Sequence, residues 1–155
     1  MAVFLLLVII IIVDQATKYW ACTVLKPMGA IPVIDGILDF AYVENYGAAF
    51  GMLQNAKWFF IVVKVVISAA IIYYLVTRSV RQPLLKSSLV LILAGAIGNL
   101  IDRLRLGYVV DFIYIKAVNF AVFNIADSSI VIGTILLVYF ILFKTDKKYG
   151  GYHGT

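Results

Sequence analysis

The chain has 155 residues, of which 64% are hydrophobic and 14% charged, and its mean hydropathy is +1.04. A soluble domain of that length has too little polar cover for so much apolar surface, so lipid is the expected solvent for most of it and one compact domain the expected count. The net charge of +5 is spread between apolar runs rather than along a stripe or an arm, which points to membrane orientation and excludes nucleic acid as a partner.

In chain order, the first predicted element is a helix over about 2–21. No basic residue precedes it, and Asp14 and Lys18 interrupt it, so it reads as a retained first span and not as a removed signal. Asp14 and Lys18 are four apart and share a face, fitting either an ion pair or support for a substrate site. The single cysteine, Cys22, reads as a small apolar residue near that helix end and allows no intramolecular disulfide. The segment 37–43 follows the turn pair Asp35-Gly36 and is rich in β-branched and aromatic residues, so it is predicted as a short strand.

A second span is expected over 58–77, where Lys64 is the lone charge and should snorkel or pair with a carboxylate. The third span, 87–102, carries Gly95 and Gly98 for close helix approach, and Asn99, Asp102 and Arg103 form one polar face at its end. Residues 109–115 read as another strand, with Asp111 inside it. The fourth span, 126–143, has Asp127 in its first turn. The tail 147–155, rich in Gly and Tyr, should be disordered. Tyr42, Phe50, Trp58, Phe112 and Tyr114 suit a membrane interface.

Lysine and arginine set the direction. The 78–86 loop and 144–155 tail carry six basic residues in 21 positions, against five in 59 for the loops 22–57 and 103–125. Both termini are therefore expected in the cytoplasm. Seven of the eight acidic residues then fall in the outer half, all but Asp146. Charged groups inside a bilayer are costly and mark functional sites by default.

Asp111 stands among Val109, Val110, Phe112 and Ile113 with no adjacent base, a setting that favours its neutral form. Asp127 sits where a helix dipole favours ionisation. Carboxyls pushed apart in this way can divide general acid and base roles. Two other readings compete on residues alone. A proton-coupled transporter needs polar residues through the full membrane thickness, and the inner halves of these helices are nearly bare. A non-catalytic scaffold needs every acid to be ion-paired.

Five blocks carry a resemblance: Asp14-Gln15-Ala16-Thr17-Lys18, Asn45-Tyr46-Gly47-Ala48-Ala49-Phe50, Gly98-Asn99-Leu100-Ile101-Asp102-Arg103, Val109-Val110-Asp111-Phe112 and Phe123-Asn124-Ile125-Ala126-Asp127-Ser128. Together they resemble the lipoprotein signal peptidase (signal peptidase II) family of bacterial inner membranes. The resemblance implies an all-α membrane protein of four transmembrane helices with a small β element, an outer-surface β-cradle with a mobile segment. It implies an aspartyl endopeptidase that cuts diacylglyceryl-modified prolipoproteins on the amino side of the lipidated cysteine. Asp111 and Asp127 match the catalytic pair. Asp14, Asn45, Gly47, Asn99, Arg103 and Asn124 match residues that shape or support the substrate site, and Asp102 and Lys18 match structural positions. No metal or organic cofactor is implied. The expected partners are the lipid-modified substrate and membrane lipid, with the enzyme a monomer.

Overall fold

The computed structural model describes residues 2–47, 56–78 and 80–144. Among them are four helices long and apolar enough to cross a membrane and one three-stranded sheet. Ala48, Ala49 and Phe50 of the second sequence block, Asp146 and the tail 147–155 lie outside the described residues.

Helix α1 (Ala2–Trp20) continues through a wider π-helical turn, Ala21–Leu25, and a last short turn, Lys26–Met28. Ala21 and Leu25 of the wide turn are wholly buried beneath the sheet. The chain then forms strands β1 (Ala30–Ile34) and β2 (Leu38–Asn45), an antiparallel hairpin. Gly36 makes its turn at φ +72°, a conformation that costs other residues a steric penalty. Helix α2 (Lys57–Thr77) returns across the membrane.

Helix α3 (Pro83–Arg105) begins on a proline, whose missing N–H would have had no helical partner in the first turn. It is the most buried of the four helices and packs against each of the other three. At its end Gly107, at φ +89°, turns the chain into strand β3 (Val109–Ile115), which pairs antiparallel with β2 so that Val43 faces Asp111 and Asn45 faces Val109. The segment after β3 folds back along it, Phe123 exchanging backbone hydrogen bonds with Ile113. That return delivers Asn124 and then helix α4 (Ile125–Lys144) to the flank of Asp111.

Small residues set the helix spacing. A side chain on Gly95 would collide with the Ala126 backbone, and a Cβ on Gly133 would stand 2.8 Å from the Ser88 carbonyl oxygen. The sheet is fastened to the end of α1 by Trp20, Phe40 and Phe112, with ring centroids 5.5–6.2 Å apart in edge contacts. Phe112 is thus a core residue and not an interface residue, because its strand turns it towards α1. Side chains such as Phe4, Val76 and Phe143 project outward, as lipid-facing positions should. The fold is the mostly helical membrane architecture with a small sheet that the sequence implies.

Candidate active site

Two carboxyl clusters lie at the sheet-side ends of the helices. In the first, Lys18 on α1 bridges Asp14 and Asp102, 3.0 Å from an oxygen of each. All three side chains are buried. Gln15 donates to Asp14 Oδ2 (3.2 Å), to Asp102 Oδ1 (3.0 Å) and to the Gly98 carbonyl (3.2 Å). The remaining lone pairs take backbone donors: Ala126 N–H on Asp14 Oδ1 (2.9 Å) and Val110 N–H on Asp102 Oδ2 (3.1 Å). Close helix approach makes this possible, since a Cβ on Gly98 would stand 2.6 Å from Asp14 Oδ2.

Asn99 connects this cluster to the second. Its Oδ1 accepts from Lys18 Nζ (2.9 Å) and from Asn124 Nδ2 (3.1 Å), and its Nδ2 donates to Asp127 Oδ1 (2.7 Å). Asn124 caps α4: its Oδ1 accepts the Asp127 N–H at 2.9 Å, and Asp127 Oδ2 reaches back to the Asn124 N–H at 3.4 Å. This reciprocal arrangement is a capping box with Asp in the third helical position. The same Asn124 donates through Nδ2 to Asp111 Oδ1 at 2.6 Å. One fully buried asparagine therefore fixes both Asp111 and Asp127.

Asn45, at the end of β2, donates to the other oxygen of Asp111 at 2.8 Å, while its own Oδ1 accepts the Gly47 N–H at 2.9 Å. Arg103 donates to the Gly47 carbonyl at 2.9 Å and lies over the Phe60 ring, 4.6 Å from its centroid. The Asn45–Gly47 strap is thereby tied to α3 on one side and to Asp111 on the other.

Asp111 and Asp127 line one cavity of about 620 Å³. Asn45, Gly47, Asn99 and Arg103 share its wall, and apolar side chains from β3, the return segment and α4 complete it. No Lys or Arg nitrogen lies within ion-pair distance of either aspartate among the described residues. Burial, and after it the negative charge of Asp127, pushes the Asp111 carboxyl up to about 7, against the opposing hydrogen bonds from Asn45 and Asn124. A carboxyl that keeps its proton near neutral pH, beside a second carboxyl held by amide donors, is equipped for acid–base work on a substrate entering the cavity.

The structure thus gathers all eight residues singled out in the sequence, though in different places. Six line the cavity; Asp14 and Asn124 stand behind it, where they touch the backbone and the side chains that do. Lys64 does not pair with a carboxylate: among the described residues it has no ion pair, and it lines the cavity. Sequence reasoning missed the cross-helix role of Gln15, the seat that Phe60 gives Arg103, and the position of Ser128 in the wall. Gln15 and Ser128 lie within the five blocks, so the signal was present; Phe60 was one apolar residue among many.

The profile of the family described as Signal peptidase (SPase) II matches residues 6–143. Proteins named lipoprotein signal peptidase are similar over most of the chain. The one from Caldanaerobacter subterraneus subsp. tengcongensis is 53% identical over 135 residues, 87% of this chain and 92% of its own length. The one from Clostridioides difficile is 42% identical over 148 residues, 96% and 99% of the two chains. A bacterial membrane enzyme solved by the in meso method at 2.3 Å superposes with a TM-score of 0.87 at 35% identity, covering 99% of this chain and 94% of that one. A match of this extent leaves one assignment: the chain belongs to the signal peptidase II family, and it is a multi-pass membrane protease of the aspartic type.

Proposed function

We propose that this chain is an interfacial aspartyl endopeptidase that removes the signal peptide from diacylglyceryl-modified prolipoproteins, cutting on the amino side of the lipidated cysteine with Asp111 and Asp127 as the reacting pair. The observation that carries the assignment is the joint clamp: Asn124 holds both carboxyls at the wall of one cavity, and among the described residues neither carboxyl forms an ion pair.

The chemistry follows from the two environments. Asp127 takes a proton from water as the water oxygen attacks the scissile carbonyl carbon. Asp111, the proton holder, donates to the carbonyl oxygen. Collapse of the tetrahedral diol breaks the C–N bond, the departing amine takes the proton held on Asp127, and a diol hydroxyl returns one to Asp111. One water is consumed and the pair is regenerated. Asn45, Gly47 and Arg103 frame the entry and Asn99 and Asn124 hold the pair in register, with Asp14 bracing α4 from behind.

The sheet side is read as the outer face of the bacterial inner membrane, with both termini cytoplasmic, because basic residues are densest in the 78–86 loop and the 144–155 tail. A substrate anchored by its signal helix and its acyl chains presents its cleavage point at that depth, where water is at hand. The enzyme is read as a monomer within lipid. Purified protein should release a signal peptide from a diacylglyceryl-modified precursor, with product masses locating the cut before cysteine. A cut elsewhere, or equal cleavage of a precursor without lipid, would refute the assignment. Cysteines introduced at Gln82 and Ala117 should label from opposite faces of the membrane, and labelling from one face would overturn the topology.

A further inference from the structure

Among the described residues three cations stand near the site, and two of them are engaged. Lys18 is held by two carboxylates and Asn99, and Arg103 by the Gly47 carbonyl and the Phe60 ring. The third, Lys64, has no hydrogen bond and no ion pair among the described residues; it feels the charge of Asp127 only through space. It lies seven residues into α2 from Lys57, about 10 Å along the axis from the sheet-side end. Val131 and Ile132 lie at the corresponding depth of α4, and both line the same cavity. Ser128 lies nearer the sheet-side end of α4, and the α4 residues that line the cavity at the depth of Lys64 are apolar.

An ammonium carries three donors and no acceptor, and in an apolar wall it needs acceptors from outside the chain. The substrate proposed above supplies them. If the scissile carbonyl sits at Asp111 and Asp127, the cysteine side chain just beyond it carries a glyceryl group whose two ester carbonyls lie about eight and nine bonds away, a reach comparable to the depth of Lys64. The acyl chains must continue into hydrocarbon, which takes the esters along α4 past Val131. We propose that Lys64 is a specificity-determining residue that donates hydrogen bonds to the ester carbonyls of the substrate's diacylglyceryl group. The inference rests on the lipoprotein reading.

The test compares two precursor peptides with chains of equal length, one carrying a diacylglyceryl (ester) group and the other a dialkylglyceryl (ether) group, which lacks the carbonyls. Wild type should bind the ether form with a KM about tenfold higher, the scale of one lost hydrogen bond to a charged group. Lys64→Met should raise KM on the ester substrate about tenfold, leave KM on the ether substrate unchanged, and alter kcat on either by less than about threefold. Lys64→Arg, which keeps donors and charge, should retain most of the preference. Equal handling of the two lipids by wild type would overturn the proposal even if a variant fails to fold. So would an equal fall in kcat on both substrates in Lys64→Met, which would place the ammonium with the reacting atoms. Cleavage of neither lipid form by folded wild type would instead strike the proteolytic reading itself.

Discussion

Asp14 and Asp102 lie on one side of Asn99, and Asp111 and Asp127 on the other. The first pair is closed: every carboxylate oxygen is occupied by Lys18, Gln15 or a backbone N–H, and the two carboxyls share one buried ammonium. The second pair is held by amides, three of them from Asn45, Asn99 and Asn124 side chains, with no cation in ion-pair reach among the described residues and with the cavity in front. A neighbouring cation favours the ionised form of a carboxyl. A neutral amide fixes the position of a carboxyl while leaving its proton free to move. Within about two helix turns, the same residue type is used once to lock helices together and once to keep a reactive group available.

The contrast can be broken most sharply at the open pair. Asp111→Asn and Asp127→Asn should each lower kcat by about 10³-fold or more, the scale seen when one member of a catalytic unit is removed. Each should leave the melting temperature within a few degrees, since the amide keeps the shape and one of the two accepted hydrogen bonds while removing a buried charge. At the closed pair the effects should be exchanged. Lys18→Met strands two buried carboxylates and should cost about 3–5 kcal/mol, a fall of roughly 10 °C in melting temperature.

Asn124 belongs to both worlds. Its replacement by alanine removes a helix cap worth about 1 kcal/mol and one of the two amide donors on Asp111, so stability and activity should fall together, activity by about 10²-fold. A smaller effect concerns pH. If Asp111 must carry the proton, its value of about 7 places the falling limb of activity there, full below and lost above. The Asn45 hydrogen bond favours the ionised form, so Asn45→Ala should move that limb to higher pH. The exposed pair of Lys26 with Glu44, 2.8 Å apart, is the null case. Lys26→Gln should shift the melting temperature by less than about 2 °C, as surface ion pairs contribute little.

Much of this was legible in the residues because the membrane makes polar groups conspicuous. The four spans, the strands around Phe40 and Asp111, and the Asp14–Lys18 pair at four-residue spacing follow from hydropathy and periodicity. Gly95 and Gly98 read correctly as points of close helix approach. Strand β1 was not legible: Pro32 and its mostly exposed positions lack both alternation and bulk. The wide turn at Ala21–Leu25 has no local signal, since what stabilises it is the sheet packed on it. The reach of Lys18 to Asp102 and of Asn124 to Asp111 depends on which helices are neighbours, and periodicity within one helix carries no such information. Phe112 was misplaced for the same reason.

The most direct test of the two-cluster account measures cleavage of a diacylglyceryl-modified precursor and the melting temperature on the same preparations of Asp127→Asn and Lys18→Met. The account predicts a crossed result: Asp127→Asn folded with wild-type-like melting and inactive, Lys18→Met strongly destabilised yet cleaving at a measurable rate at temperatures where it remains folded. Wild-type cleavage by Asp127→Asn, or full loss of activity in well-folded Lys18→Met, would contradict it.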